Sequence, residues 1–217
     1  NWAEPRSPFI PRSLEVDTGV ISFRGPVDGA LFALVSDHVV RGRVVFPGAA
    51  HMETARAAGN GALDEVFFLA PLICKVGSGQ WIECASGSTF EISSGEMDDN
   101  MLDEPQLHCS GAHAAAAGQL ATTSPERRAP SEEAMNTRGL FDAFYTGGLG
   151  CGPASRGTRE AWATPGAVAG QLKPRRVLSP GIGTHPADLD AGLQLAMYVG
   201  GLPTNGEETR LPFAVNH

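Results

Sequence analysis

Basic residues are few: 16 Lys and Arg against 24 Asp and Glu leave the 217-residue chain with a net charge of −8. A sequence-independent nucleic-acid binder needs a basic surface to displace phosphate counterions, so that class is not expected. An acidic partner surface would have to meet a local basic patch. Cysteine is also sparse. Cys74, Cys84, Cys109 and Cys151 show no CxxC spacing and no accompanying histidine pattern, so no zinc site is expected and reduced thiols in a cytoplasmic setting are. No apolar run approaches membrane-spanning length, and no charged segment followed by an apolar one opens the chain, so neither anchor nor leader is expected. The length suffices for one large domain or two small ones with a real core.

Period and punctuation divide the chain. Val20 to Phe23, Leu31 to Val35 and Val39 to Phe46 read as short strands separated by Gly, Pro and Asp. Pro47 takes a first helical position, and Ala49 to Ala58 follows as a helix that Gly59 closes. Residues 66–120 return to strand character in "EVFFLAPLICKV", "QWIECAS", "STFEISS" and "QLHCSGAHAAAAGQL", an antiparallel meander wrapped on that helix. Residues 121–137, rich in Ser, Thr, Pro and charge, read as a linker. A second unit then runs over 138–217, with a short helix around Leu140 to Tyr145, strands near Arg159 to Ala163 and Ala167 to Pro174, and a helix from Pro186 to Val199. The two halves, 1–120 and 138–217, share a rhythm that suggests structural duplication.

Two places invite chemistry. His38 stands at the entrance of a strand that stops on Pro47-Gly48, where a helix begins. In "THPADLDAGLQLAMYV", Asp190 and Gln194 lie one helical turn apart, beside an apolar stripe of Leu189, Leu193 and Met197. A carboxylate among apolar neighbours is costly to keep ionised, so the Asp190 pKa should rise, as a general acid requires. His51, His108 and His113 are expected to be exposed or hydrogen-bonded, and His185, before Pro186, to lead into the second helix.

His38, Gly42 and Pro47 fit HxxxGxxxxP, and His185, Pro186, Asp190 and Gln194 fit "HPxxLDAxLQ". "GLGCGPASRG", containing Cys151, Gly152 and Pro153, is similar to a GLxYGPxFxG loop, and "LPF" at 211–213 to the motif after the second helix. Four motifs in this order resemble the dehydratase domain of polyketide synthases. The resemblance implies an α+β double hotdog, two antiparallel sheets each wrapped around a central helix, with the second half incomplete because the chain stops at His217. It implies that His38 and Asp190 form the catalytic pair across a cleft between the halves, with His38 as base and Asp190 as acid. Gln194 would orient the acid, and the Gly48 N–H at the helix N-terminus would stabilise the thioester oxygen by about 3 kcal/mol. The implied reaction is dehydration of a 3-hydroxyacyl thioester. No bound cofactor or metal is implied, since the phosphopantetheine arm comes with the substrate. The implied partners are acyl carrier protein, other megasynthase domains and a second copy of the chain.

Two residues depart from the resembled pattern, Cys151 replacing a Tyr and Ser155 an aromatic; Tyr145 is the nearby phenol that could substitute. Two other readings stand beside dehydration: a product-template-type aldol cyclase, which resembles dehydratases in fold and in its His and Asp pair, and a catalytically degenerate hotdog module, which these departures favour.

Overall fold

The computed structural model describes residues 7–17, 19–59, 61–99, 101–114, 133–164, 167–175, 181–199 and 214–215. In chain order the elements are β1 (Arg12–Asp17), β2 (Val20–Pro26), α1 (Gly29–Val35), β3 (His38–Val40), β4 (Arg43–Val44), α2 (Gly48–Gly59) and β5 (Ala62–Phe68). There follow β6 (Gln80–Ser86), β7 (Thr89–Asp98), β8 (Met101–Ala114), β9 (Glu133–Ala134), α3 (Thr137–Thr146), β10 (Leu149–Cys151), β11 (Thr158–Thr164), β12 (Ala167–Leu172), α4 (Pro186–Val199) and β13 (Ala214–Val215).

The main sheet is antiparallel, in the order β1-β2-β6-β7-β8-β5-β13, and it curls around α2. Its central strands alternate as a sheet with one covered face must: Ile82 and Cys84 of β6, and Phe90 and Ile92 of β7, turn inward. They meet Ala50, Met52 and Ala55 of α2 in one cluster, the alanines letting the helix lie close. Complete burial of Phe90 or Ile92 stabilises by roughly 2 kcal/mol each. A smaller sheet, β12-β11-β9, lies beside α4, and Phe141 and Phe144 of α3 pack with Leu195 of α4 in a second cluster.

Two expected strands take another form. Leu31 to Val35 belongs to helix α1, where Leu31 and Val35 are buried one turn apart; a short apolar run does not distinguish helix from strand. Val39 to Phe46 is not one strand but the hairpin β3–β4, its two-residue turn at Arg41 and Gly42 having φ of 48° and 76°. Both φ values fall in the left-handed region that a tight hairpin turn needs, which gives the motif glycine its reason. The segment "EVFFLAPLICKV" leaves the main sheet after Phe68, and its latter part pairs with the end of this hairpin through Phe46 N–H to Leu72 O and Cys74 N–H to Val44 O, at 2.8 and 2.9 Å.

Of the segment 121–137, Glu133–Ala134 forms a strand against β11 and Asn136 caps α3, its side chain accepting from Gly139 N–H at 3.0 Å. Residues 121–132 and the "LPF" motif at 211–213 lie outside the described residues. Ala214 and Val215 pair with β5 of the main sheet.

Further tethers join the halves near the hairpin and at α2. Strand β10 pairs with β3, setting Cys151 opposite His38, and Asp37 closes the following turn: its carbonyl accepts from Gly152 N–H at 2.8 Å, its Oδ2 from Ala154 N–H at 2.6 Å. On the other side Glu53 of α2, buried, accepts from Gly183 N–H at 2.7 Å just before α4, while Arg56 grips both its oxygens at 2.7 Å.

Candidate active site

A cavity of about 210 Å³ opens where the halves meet, lined by His38, Gly48, His51, His108 and Asp190 among apolar residues that include Phe46 and Phe68. His38 and Asp190, far apart in sequence, therefore share one space. His38 Nδ1 lies 2.7 Å from the carbonyl oxygen of Val45 across its own hairpin. A carbonyl only accepts, so Nδ1 is the donor of this bond and Nε2 is the nitrogen left outside it.

Asp190 comes from the second turn of α4 and is 7 % exposed. Burial lifts its carboxyl above the usual range, opposed by the nearby His38 and by the hydrogen bond from Gln194. Gln194 Nε2 donates to Asp190 Oδ2 at 2.7 Å, one turn along the helix, as the spacing predicts. Its Oε1 is buried with no partner. Gly48 opens α2 on the cavity wall, where first-turn N–H groups have no acceptor within the helix. A Cβ at Gly48 would come within 3.0 Å of the Phe68 ring, so the position is tight as well as polar.

The other motif residues frame this site. Gly152 stands where any Cβ would fall 2.5 Å from the Asp37 carboxyl, and Pro153 opens the 3-10 turn that follows. Cys151 is buried, and burial pushes its thiol up to about 11, so it is neither nucleophile nor acid near neutrality. Tyr145 does not supply the absent phenol: it is 72 % exposed and does not line the cavity. His185 also stands apart from the cavity. Its Nδ1 accepts from Ala187 N–H at 3.2 Å as α4 begins, and it lines a separate basic depression with Arg156, Lys173 and Arg175.

Sequence reasoning passed over two histidines of this cavity. His108 is the extra residue of a bulge in β8: Ile92 pairs with Cys109 and Ser93 with Leu107, leaving His108 without an opposite number. Such bulges re-aim a side chain. Here the ring faces the cavity, Nδ1–H donating to Ala70 O at 3.1 Å and Nε2 accepting from Ser94 Oγ at 2.8 Å. His51, expected to be exposed or hydrogen-bonded, is 3 % exposed with Nδ1 unpartnered. Burial holds its pKa down to about 3, with His108 adding to the depression, so the ring is neutral. His113 is hydrogen-bonded as expected, to Ser86 Oγ at 2.9 Å, away from the site.

A sheet wrapped around a central helix, a second sheet beside a second helix, and a His and an Asp over one cavity define a hotdog-fold protein of the double type. The family model of the polyketide synthase dehydratase domain matches residues 8–89. Polyketide synthase GfsA of Streptomyces halstedii is 30 % identical over 202 residues, which are 84 % of this chain but 3 % of GfsA. A solved dehydratase structure from work on the borrelidin and fluvirucin polyketide synthases superposes with a TM-score of 0.80 at 22 % identity, covering 99 % of this chain and 79 % of its own. Two structures of the CurK dehydratase, a histidine-to-phenylalanine and an aspartate-to-asparagine mutant both described as inactive, superpose with TM-scores of 0.76 and 0.74 at 18 % identity. Each covers 96 % of this chain and 80 % of its own. Sequence and fold together place the chain with the polyketide synthase dehydratase domains. Among the described residues no helix is long and apolar enough to cross a membrane.

Proposed function

We propose that the chain removes water from 3-hydroxyacyl thioesters borne on acyl carrier protein, giving trans-2-enoyl thioesters within a polyketide synthase. The observation that carries the reading is the meeting on one cavity of His38, held through Nδ1 by the Val45 carbonyl, and Asp190, whose carboxyl burial raises above its usual range. His38 Nε2 takes the α-proton. The electron pair left on the α-carbon forms the new C=C bond as the β-carbon–oxygen bond breaks. Hydroxide is a poor leaving group, so Asp190 protonates the departing oxygen, and return of the proton from His38 to Asp190 resets the pair. While the α-carbon ionises, negative charge gathers on the thioester oxygen, and the Gly48 N–H, at the start of α2 on the cavity wall, is the donor assigned to it in this reading. Gln194 fixes the acid, its bond to Oδ2 leaving Oδ1 to carry the proton. The inactivity described for a His and an Asp mutant of the CurK dehydratase supports these assignments.

The phosphopantetheine arm arrives with the substrate, so this chemistry calls for no resident cofactor or metal. Carrier protein, other synthase domains and a second copy of the chain are the partners that the reading implies. Cys151 and Ser155, in place of aromatics, favour the rival of a non-catalytic docking module. Incubation with a 3-hydroxybutyryl pantetheine thioester separates the readings. Dehydration gives a product lighter by one water with enoyl absorbance. A silent protein that still binds carrier is a module, and a ring-closed product from a poly-β-ketoacyl thioester identifies a cyclase.

A further inference from the structure

Helix α2 buries three polar side chains within two turns, His51, Glu53 and Thr54. Two are fully answered by the protein: Glu53 by Arg56 and Gly183, and Thr54 by its hydroxyl donating to Ala50 O at 2.8 Å. His51 is not. Its ring is clamped between Phe46, at 4.7 Å between centroids, and the near-parallel ring of His108, at 6.2 Å and 21°. The clamp is built to hold an imidazole still, because His108 is pinned at both nitrogens by Ser94 and Ala70. Buried polar groups in native proteins are paired, by protein, by water or by a ligand. All these rings line the cavity that also holds His38 and Asp190, and His51 follows Gly48 by three residues on the same helix face.

We propose that His51 is a specificity-determining residue whose imidazole hydrogen-bonds an oxygen carried on the acyl chain beyond the β-carbon, so that the cavity selects an oxygenated 3-hydroxyacyl chain over a plain hydrocarbon one. The inference rests on the dehydratase reading. With the thioester at Gly48 and the β-carbon between His38 and Asp190, the rest of the acyl chain fills the remaining cavity. Three residues along α2 advance about 4.5 Å, a distance spanned by a few carbon–carbon bonds. The remaining wall there is apolar except for the two histidines, and His108 has spent its hydrogen bonds. A neutral imidazole both donates and accepts, so either a hydroxyl or a keto oxygen suits it. A chain lacking that oxygen leaves the ring buried and unpaired, which is how a site built for a polar group rejects its apolar analogue.

The test compares 3-hydroxyhexanoyl and 3,5-dihydroxyhexanoyl pantetheine thioesters as substrates of the 217-residue chain and of two variants. The wild type is expected to favour the dihydroxy substrate in kcat/KM by roughly tenfold or more. In His51→Leu the ratio should fall close to one, and in His51→Asn, which keeps a polar head, it should stay between the two. A wild-type ratio near one, or a ratio that survives in His51→Leu, overturns the proposal. Should His51→Leu fail to fold, the wild-type ratio and His51→Asn still decide. Should neither thioester react, the dehydratase reading fails by itself, and the same ratio is read from Kd by calorimetry, where equal affinities overturn the role of His51.

Discussion

Asp190 is buried where water would otherwise stabilise its charge, and its raised pKa is therefore a statement about stability as well as chemistry. A carboxyl that holds its proton more tightly when folded stabilises the fold at low pH, and that contribution is lost as pH rises through the folded-state value. Asp190→Asn keeps the acceptor for Gln194 without the charge, so at pH 8 its urea midpoint should exceed that of the wild type. His51 runs the opposite way. Its folded pKa of about 3 lies below the ordinary 6.5, so its contribution is intact above pH 6.5 and is lost as pH falls from there toward 3. His108, also lowered by burial, adds in the same direction, while Asp190 opposes. Each pH unit below 6.5 removes up to about 1.4 kcal/mol per such group, and His51→Leu should lose less stability between pH 7 and pH 5 than the wild type. The positions of His38, Asp190 and Gln194 were legible because their motif spacing sets them on particular elements. His51 and His108 were not, since nothing local marks a bulge or says that a helix will be buried on nearly every side.

Among elements, the short ones hold the site. The β3–β4 hairpin turns on Arg41 and Gly42 and returns the Val45 carbonyl to the His38 ring, so the imidazole is oriented by the segment that follows it. The loop after β10 is fastened to the residue preceding His38 through Asp37. Gly152→Ala would drive a methyl into the Asp37 carboxyl and break its bond to Ala154 N–H. The expected outcome is a loss of about 1–2 kcal/mol in urea unfolding together with slower turnover. Long periodic elements such as α2 and α4 could be read from spacing and Pro-led starts. The misreadings fell on α1 and on the hairpin, where five apolar residues at 31–35, and eight residues at 39–46 interrupted by Arg41, Gly42 and Arg43, carry no decisive period and tertiary packing chooses the form.

At the scale of the molecule, the proposed activity requires two halves held in fixed register, because His38 belongs to one and Asp190 to the other. Glu53 is the buried hinge pin of that arrangement, tying α2 to the residues that lead into α4. Glu53→Gln should lower stability by roughly 2–3 kcal/mol, the worth of hydrogen bonds to a buried charge, and should speed amide exchange at Gly183 before exchange in β6 and β7 changes. The double hotdog could be recognised from four motifs, yet the clamps at Asp37 and Glu53 could not, because each joins residues more than a hundred positions apart. The central claim is a shared elimination by His38 and Asp190, and the rate of enoyl formation from a 3-hydroxybutyryl pantetheine thioester tests it most directly. With folding verified for each variant, His38→Ala and Asp190→Asn are each predicted to fall by about a thousandfold, and the double variant little further, as expected of two groups acting on one step. Retention of a tenth or more of the wild-type rate by either single variant would contradict the account.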